Sequence, residues 1–337
     1  MKKYLYLMAL IAMAGVTYTS CSSDDDDSVK VTLKEPATKD IAARYTIETP
    51  QNSYIKEVDG VQYALTEFEI TEDNGILIRY DELQTRAMEG FSSIWSWHKF
   101  TKEGDDRFIV IGFGEFIVEA GEPQPGGYHK RSHISLIPDG VNPIDVYASL
   151  MEPNIEGELS GYLCRTWNIT RSRILVVDWS VTKDNTRRET ALATTWFSET
   201  DGTVHLMDLI NYANTKHNAG LNTDLGERNT VENLFFSSNG TFTINYANTN
   251  LRDVGSWSWV NQDNNEKSGN LTYVWYNEDM GNDLLGGVAS IKFNGNKATL
   301  RLMGKDRSGT GSGTGHNSEY TGTDFGLILE LEPASNK

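Results

Sequence analysis

Alternation of apolar and polar residues at a period of two constrains this chain more than any other feature. In Gly240-Thr241-Phe242-Thr243-Ile244-Asn245-Tyr246 every second residue is apolar, so an extended segment buries one face. Asn239-Gly240 just before it supplies the residue pair of a tight hairpin turn. Asn294-Gly295-Asn296-Lys297 separates 288–293 from 298–303 and predicts another hairpin. Further strands are predicted near 163–169, 174–181, 191–197, 257–260, 271–276 and 325–331. A long antiparallel meander of this kind closes into a barrel or a strongly curved sheet.

Helices are expected to be few. Asn142 reads as the cap of a short one, with Pro143 at its first position and Pro153 beyond its end. A second is predicted from about 204 to 216, where Leu206, Leu209, Ile210 and Ala213 fall at helical spacing and Gly220 is placed to stop it. Such a helix beside a β-meander is suited to cover one barrel end.

The two halves of the chain resemble each other. A strand, an Asn-Gly turn and a strand occur at 72–80 and again at 237–246. Each is followed by a Trp-Ser-Trp, Trp95-Ser96-Trp97 and Trp257-Ser258-Trp259, then by a polar turn (102–106 and 261–265) and a new strand (108–111 and 271–275). Two related β-modules, divided near 153–160, account for this order.

The N-terminus carries an address. Lys2 and Lys3 precede an apolar run over 4–16, shorter than the roughly 20 residues that span a bilayer. Tyr18-Thr19-Ser20-Cys21 follows, then Ser22-Ser23-Asp24-Asp25-Asp26-Asp27. A positive start, a short apolar stretch and small residues before a cleavage point describe a secretory signal. Residues 18–27 resemble the signal of bacterial lipoproteins, and the Ser-Ser-Asp-Asp-Asp-Asp run resembles the surface-export signal of Bacteroides-type lipoproteins. Tyr18 departs from the pattern, which has Leu there. The resemblance implies a lipidated Cys21 as first mature residue, insertion in the outer membrane and display on the cell exterior. It divides the chain into a signal peptide (1–20), an acidic tether (21–30), an N-terminal β-module (31–155) and a C-terminal β-module (160–333). Four adjacent carboxylates repel one another and keep the tether hydrated. Asp27-Ser28-Val29 also resembles a short O-glycosylation sequon of such bacteria, although a plain linker serine is the better reading.

Removing 1–20 from 337 residues leaves 317, a comfortable length for two domains. With 30 basic and 47 acidic residues the net charge is −17. Such a surface repels nucleic acid and anionic lipid, so membrane contact is expected through the lipid on Cys21 and nucleic-acid partners are discounted. If Cys21 is acylated, Cys164 has no partner in the chain, which excludes a disulfide scaffold. Cys164 lies in a strand-like stretch and reads as a small buried apolar residue.

Residues 160–333 resemble the lipocalin-like domains of such lipoproteins through Leu163-Cys164-Arg165-Thr166-Trp167, Phe235-Phe236-Ser237-Ser238-Asn239-Gly240-Thr241-Phe242 and Gly255-Ser256-Trp257. True lipocalins carry their Gly-x-Trp on the first strand, whereas here it lies mid-domain. The resemblance implies barrel topology. The first half shares a looser likeness with companion domains, through Phe68-Glu69-Ile70-Thr71 and Gly112-Phe113-Gly114. The expected fold is therefore all-β and mainly antiparallel, with two β-modules, the C-terminal one a lipocalin-like barrel or curved meander with one or two short helices.

Candidate chemistry is sparse. Trp95 with Trp97, and Trp257 with Trp259, place two rings on one face of a strand. Buried pairs fill a core; an exposed pair would stack on sugar rings. His129 and His133 stand four apart, but the flanking Pro and Gly predict a loop entering a strand rather than a zinc-binding helix. Asp263-Asn264-Asn265-Glu266 offers oxygen ligands without the spacing of a calcium loop and reads as a hairpin turn. The glycine-rich 309–315 lacks the Gly-Lys-Ser/Thr of a phosphate cradle and reads as a flexible loop. No hydrolase signature is present, and no cofactor is expected. The reading that results is a non-catalytic surface lipoprotein that binds a ligand, a glycan or a small apolar molecule, or serves a structural role. The alternatives are a carbohydrate-binding accessory of a glycan-uptake system and, third, a surface hydrolase. Exposure of the four paired tryptophans separates the first two, and a cleft with two carboxylates would favour the third.

Overall fold

A computed structural model describes residues 42–73, 75–83, 93–123, 130–151, 157–181, 186–192, 194–198, 204–219, 223–247, 252–276, 285–303, 310–312 and 319–334. Cys21, the acidic run 22–27 and the sequon at 27–29 lie outside these residues. The fold is mostly antiparallel β and forms two closed barrels of eight strands each.

The first barrel is built from β1 (Ala43–Ile47), β3 (Val61–Ile70), β4 (Gly75–Glu82), β5 (Ser93–Glu103), β6 (Arg107–Val110), β7 (Gly114–Pro123), β8 (Lys130–Pro138) and β9 (Ile144–Met151). Sequential neighbours pair as a meander, and β1 closes the ring by pairing with both β3 and β9. A short β2 (Ile55–Val58) adds to β3. Alternate residues point inward, and the lumen is solid: Phe68 stacks on Tyr45 at 4.8 Å and meets Phe116 at 5.0 Å, with Ile76, Ile78, Ile134 and Leu136 fully buried around them. Eight strands leave an interior just wide enough for side chains to fill.

The second barrel follows a short helix α1 (Glu158–Leu163) and repeats the order. Its strands are β10 (Thr166–Val181), β14 (Thr230–Phe236), β15 (Thr241–Tyr246), β16 (Arg252–Asp263), β17 (Ser268–Tyr276), β18 (Leu285–Asn294), β19 (Lys297–Met303) and β21 (Glu319–Pro333). Pairing of β10 with β21 closes it. β11 (Arg187–Leu192), β12 (Phe197–Ser198) and β13 (Val204–His205) lie off the ring, as does β20 (Thr310–Ser312). The helix α2 (Leu206–His217) inserts Leu206, Leu209, Ile210 and Ala213 into the same core as Trp167, Phe236, Trp257 and Leu329, and α1 adds Leu159 and Leu163. Each helix thus seals apolar lumen that strands alone would leave wet.

Several local expectations need correction. The segment expected as a helix after Asn142 is the strand β9: Ile144, Val146 and Ala148 alternate with polar residues, and the segment is paired on both sides, with β8 and β1. Pro143 lies just before it, where no ladder donor is needed. The strand placed at 163–169 starts only at Thr166, because Leu163 ends α1 and Trp167 Nε1 donates to the Leu163 carbonyl at 2.9 Å. Cys164 is buried but caps that helix instead of sitting in a strand. The strands expected at 163–169 and 174–181 are one 16-residue β10, bulged near Thr170. The segment 191–197 divides between β11 and β12. Part of the glycine-rich loop, Thr310–Ser312, is paired strand, while 309 and 313–315 lie outside the described residues. The helix stop predicted at Gly220 also lies outside them; Asn218, left-handed at φ 51°, ends α2. The hairpin predicted at Asn294–Lys297 stands, with Asn294 paired to Lys297.

Candidate functional site

A concave site among the described residues lies where β10 and β21 run past the barrel core. Their ladder continues to Val181 opposite Tyr320. Inward-facing positions change character along the way, from Ile174, Val176, Leu327 and Phe325 in the core to Asp178, Ser180, Thr323 and Thr321 beyond it. β11 pairs with the free side of β10 there, setting Thr190 against Asp178 and Arg188 against Ser180. The end of α2, His217 to Ala219, closes another side, leaving a cavity of about 720 Å³ with Phe325 among its lining residues. Thr323 Oγ1 donates to Asp178 Oδ1 at 2.8 Å, and Asp178 is otherwise exposed. Nε2 of His217 is buried and has no hydrogen-bond partner.

Outward-facing residues of the same strands brace this rim. Trp179 Nε1 donates to Asp324 Oδ1 at 2.9 Å, Arg187 Nη2 donates to Asp324 Oδ2 at 2.7 Å, and the Arg187 guanidinium lies 4.6 Å from the Trp179 ring centre. Gly322 leaves room for that ring, since a Cβ there would stand 2.4 Å from it. Carboxylate, guanidinium, imidazole and several hydroxyls therefore line one hollow. Such a set exchanges hydrogen bonds with a polyhydroxylated molecule, and barrel mouths are a common place for ligands.

A second cluster of polar groups joins the barrels and is filled by its own side chains. The turn between β3 and β4 meets the Asn-Gly turn between β14 and β15. Fully buried Glu69 accepts hydrogen bonds from the hydroxyls of Ser237 and Thr241, and from Asn239 Nδ2 at 3.4 Å. Glu72 accepts from the Ser238 backbone N–H at 2.9 Å and from its hydroxyl. Burial pushes the Glu69 carboxyl up to about 7 and also raises Glu72 and Asp73. Burial lowers Arg252 to about 10, against the pull of Asp73. The β15 strand, expected to bury one face, buries all six residues; on its polar face Thr241 is covered by this junction.

The paired tryptophans fall on opposite faces of their barrels. Trp257 is 3 % exposed in the second core, with Trp259 packed edge-on at 5.5 Å and donating to Ser160 Oγ at 2.8 Å. Trp97 pairs with outward-facing Leu77, and Trp95 with Arg79, so this pair lies outside the first barrel. Both rings are half-buried, with the Arg252 guanidinium 3.4 Å from the centre of Trp97 and Arg79 5.8 Å from that of Trp95. None of the four is fully exposed: Trp257 is buried and the other three are half-buried. The strand order of the halves agrees, but the Trp-Ser-Trp motifs are not equivalent positions.

His133 lies on β8 with Nδ1 3.2 Å from Glu119, while His129 is outside the described residues. Asp263 Oδ1 accepts the N–H groups of Asn265 and Glu266 at 3.0 Å each, a hairpin turn capped by its own side chain. Among the described residues no group of three or more potential ligands is placed to hold a metal. Asp178, Arg188, His217 and Thr323 were not singled out by sequence. The available signal was the switch from apolar to polar at period two within 174–180 and 321–327. No family model, no curated protein and no solved structure matches the chain.

Proposed function

We propose that the protein is a non-catalytic lipoprotein, tethered to the outer membrane through lipid on Cys21 and displayed on the cell surface, that holds a small polyhydroxylated ligand such as a glycan end at the rim of its second barrel. The polar rim cavity carries this reading. Two further observations support it over the other ligands considered. Among the described residues, the lumen of each barrel is lined and filled by aromatic and aliphatic side chains, which disfavours an apolar guest there. Asp178 is the one carboxylate lining the cavity among the described residues, whereas glycoside hydrolysis uses a pair. The role of saccharide platform considered for Trp95, Trp97, Trp257 and Trp259 passes to the rim.

Calorimetric titration of the full chain in detergent with a panel of neutral oligosaccharides tests the ligand. Saturable binding that falls at least roughly tenfold in Asp178→Asn and Thr323→Val, with unchanged melting temperature, is expected. Binding indifferent to both substitutions overturns the rim assignment. Mass spectrometry of residue 21 and protease treatment of intact cells test the placement; a bare Cys21 or a protected protein overturns it.

A further inference from the structure

The outer wall of the second barrel runs against the charge of the molecule. In a chain of net charge −17, Arg171 and Arg173 on β10 and Arg301 on β19 gather on one face. Arg173 and Arg301 both pair with Ile328 of β21, from its two sides. Alternation puts all three arginines on the outside, since Ile174 and Val176, Leu300, and Leu327 and Leu329 face the core. Strands stand about 4.8 Å apart, so Arg173 and Arg301 are only two strands from one another. The guanidinium carbons of Arg171 and Arg173 each lie 4.4 Å from the ring centre of Trp196, which packs on Leu175, Val177 and Ile328.

Glu330 approaches Arg171 at 3.4 Å, a long contact for an ion pair between partly exposed groups. Nε of Arg173 is buried without a hydrogen-bond partner. Burial lowers the Arg173 value from the ordinary arginine range, and Arg301 and Arg171 push it the same way against Glu330. A buried guanidinium N–H left without an acceptor costs free energy, and like charges held together cost more. An oxyanion bridging the guanidiniums offsets the repulsion between them, and the guanidinium fork matches planar carboxylate and tetrahedral oxyanion geometry.

We infer that Arg171, Arg173 and Arg301, with Trp196 as an apolar wall, form an oxyanion site that takes a sulfate, phosphate or carboxylate group of a ligand. The site is on the outer wall, on residues separate from the rim cavity, and does not depend on the function proposed for that cavity.

The test uses inorganic sulfate on the full-length protein in detergent at constant ionic strength, with chloride as the balancing salt. Sulfate is expected to quench or shift tryptophan emission saturably and to raise the melting temperature above that in chloride. Arg173→Met and Arg301→Gln are each expected to weaken sulfate binding by about tenfold or more, while Asp178→Asn leaves it unchanged. In chloride, Arg173→Met is expected to melt no lower than the parent, because it removes a charge repelled by two other arginines and an Nε that lacks an acceptor. A purely structural arginine would lower it. Glucose 6-sulfate against glucose, and phosphatidylglycerol against phosphatidylcholine vesicles made with lipid-free Cys21→Ser protein, show whether a sugar or a lipid headgroup carries the anion. The proposal is overturned by a sulfate response that does not saturate, by one equal in chloride, or by one that survives both arginine substitutions.

Discussion

Thr241 Oγ1, on a strand of the second barrel, donates its proton to Glu69 Oε2, on a strand of the first. The contact spans the junction of two independently closed rings and lies wholly out of water. Burial opposes the ionisation of a carboxyl in that position, while the hydroxyls that donate to it favour the charged form.

The first prediction follows from that balance. Burial places the folded-state Glu69 carboxyl at about 7, above the value of about 4.3 for an exposed glutamate. The folded state therefore binds the proton more tightly than the unfolded one. Its stabilising contribution is complete below the unfolded value and is lost as pH rises through about 7. Burial shifts Glu72 and Asp73 in the same direction. Melting temperature is expected to fall between about pH 5 and pH 8, and Glu69→Gln is expected to flatten that slope. Glu69→Ala, which strands Ser237 and Thr241, is expected to lose about 1–3 kcal/mol at acidic pH. Thermal melts across pH check all three, and a slope unchanged in Glu69→Gln rules out Glu69 as its source.

Arg252 and Trp97 form a further link across the junction, at 3.4 Å. Desolvated cation–π pairs contribute about 0.5–2 kcal/mol, and a double-mutant cycle of Arg252→Met with Trp97→Leu is expected to return a coupling in that range. Urea unfolding monitored by circular dichroism reads it. Additive substitutions would show that the two side chains are merely adjacent.

The tryptophan pairs are expected to behave differently. Trp257→Ala empties a packed barrel core and is expected to cost about 3–5 kcal/mol. Trp95→Ala, outside its barrel under an arginine, is expected to cost no more than about 1 kcal/mol. Denaturant midpoints compared at equal slope decide this. Similar losses would contradict the opposite-face assignment.

Two glycines carry opposite expectations. A Cβ on Gly255 would stand 2.4 Å from the Val274 carbonyl oxygen and 2.3 Å from the Phe242 ring, so Gly255→Ala is expected to destabilise. Overpacking of this kind costs about 1–3 kcal/mol. Gly161, inside α1, has nothing within 4 Å of such a Cβ, and Gly161→Ala is expected to stabilise. The helix preference involved is about 1 kcal/mol. Melting temperatures of the two variants give the signs directly.

Strand existence and hairpin turns were legible because period-two alternation and Asn-Gly pairs are local signals. Asn239-Gly240 and Asn294–Lys297 both turn where expected. Boundaries failed where a tertiary contact outweighed the local pattern. Leu163 is drawn into a helix that covers the barrel end, and 144–151 is a strand because β1 needs β9 to close the ring. The rim residues carried only a faint signal, a change from apolar to polar within strands that otherwise read as core.

The sequence by itself determined an antiparallel all-β chain in two parts, with an acidic surface and cysteines too few for a disulfide scaffold. These properties follow from near-neighbour spacing, composition and count. Ring closure, the face each tryptophan occupies, the docking of Glu69 on Thr241 and the gathering of Asp178 with His217 were decided only by tertiary structure. Each depends on groups dozens of residues apart along the chain, or on a strand register in which a shift of one residue turns every side chain to the other face.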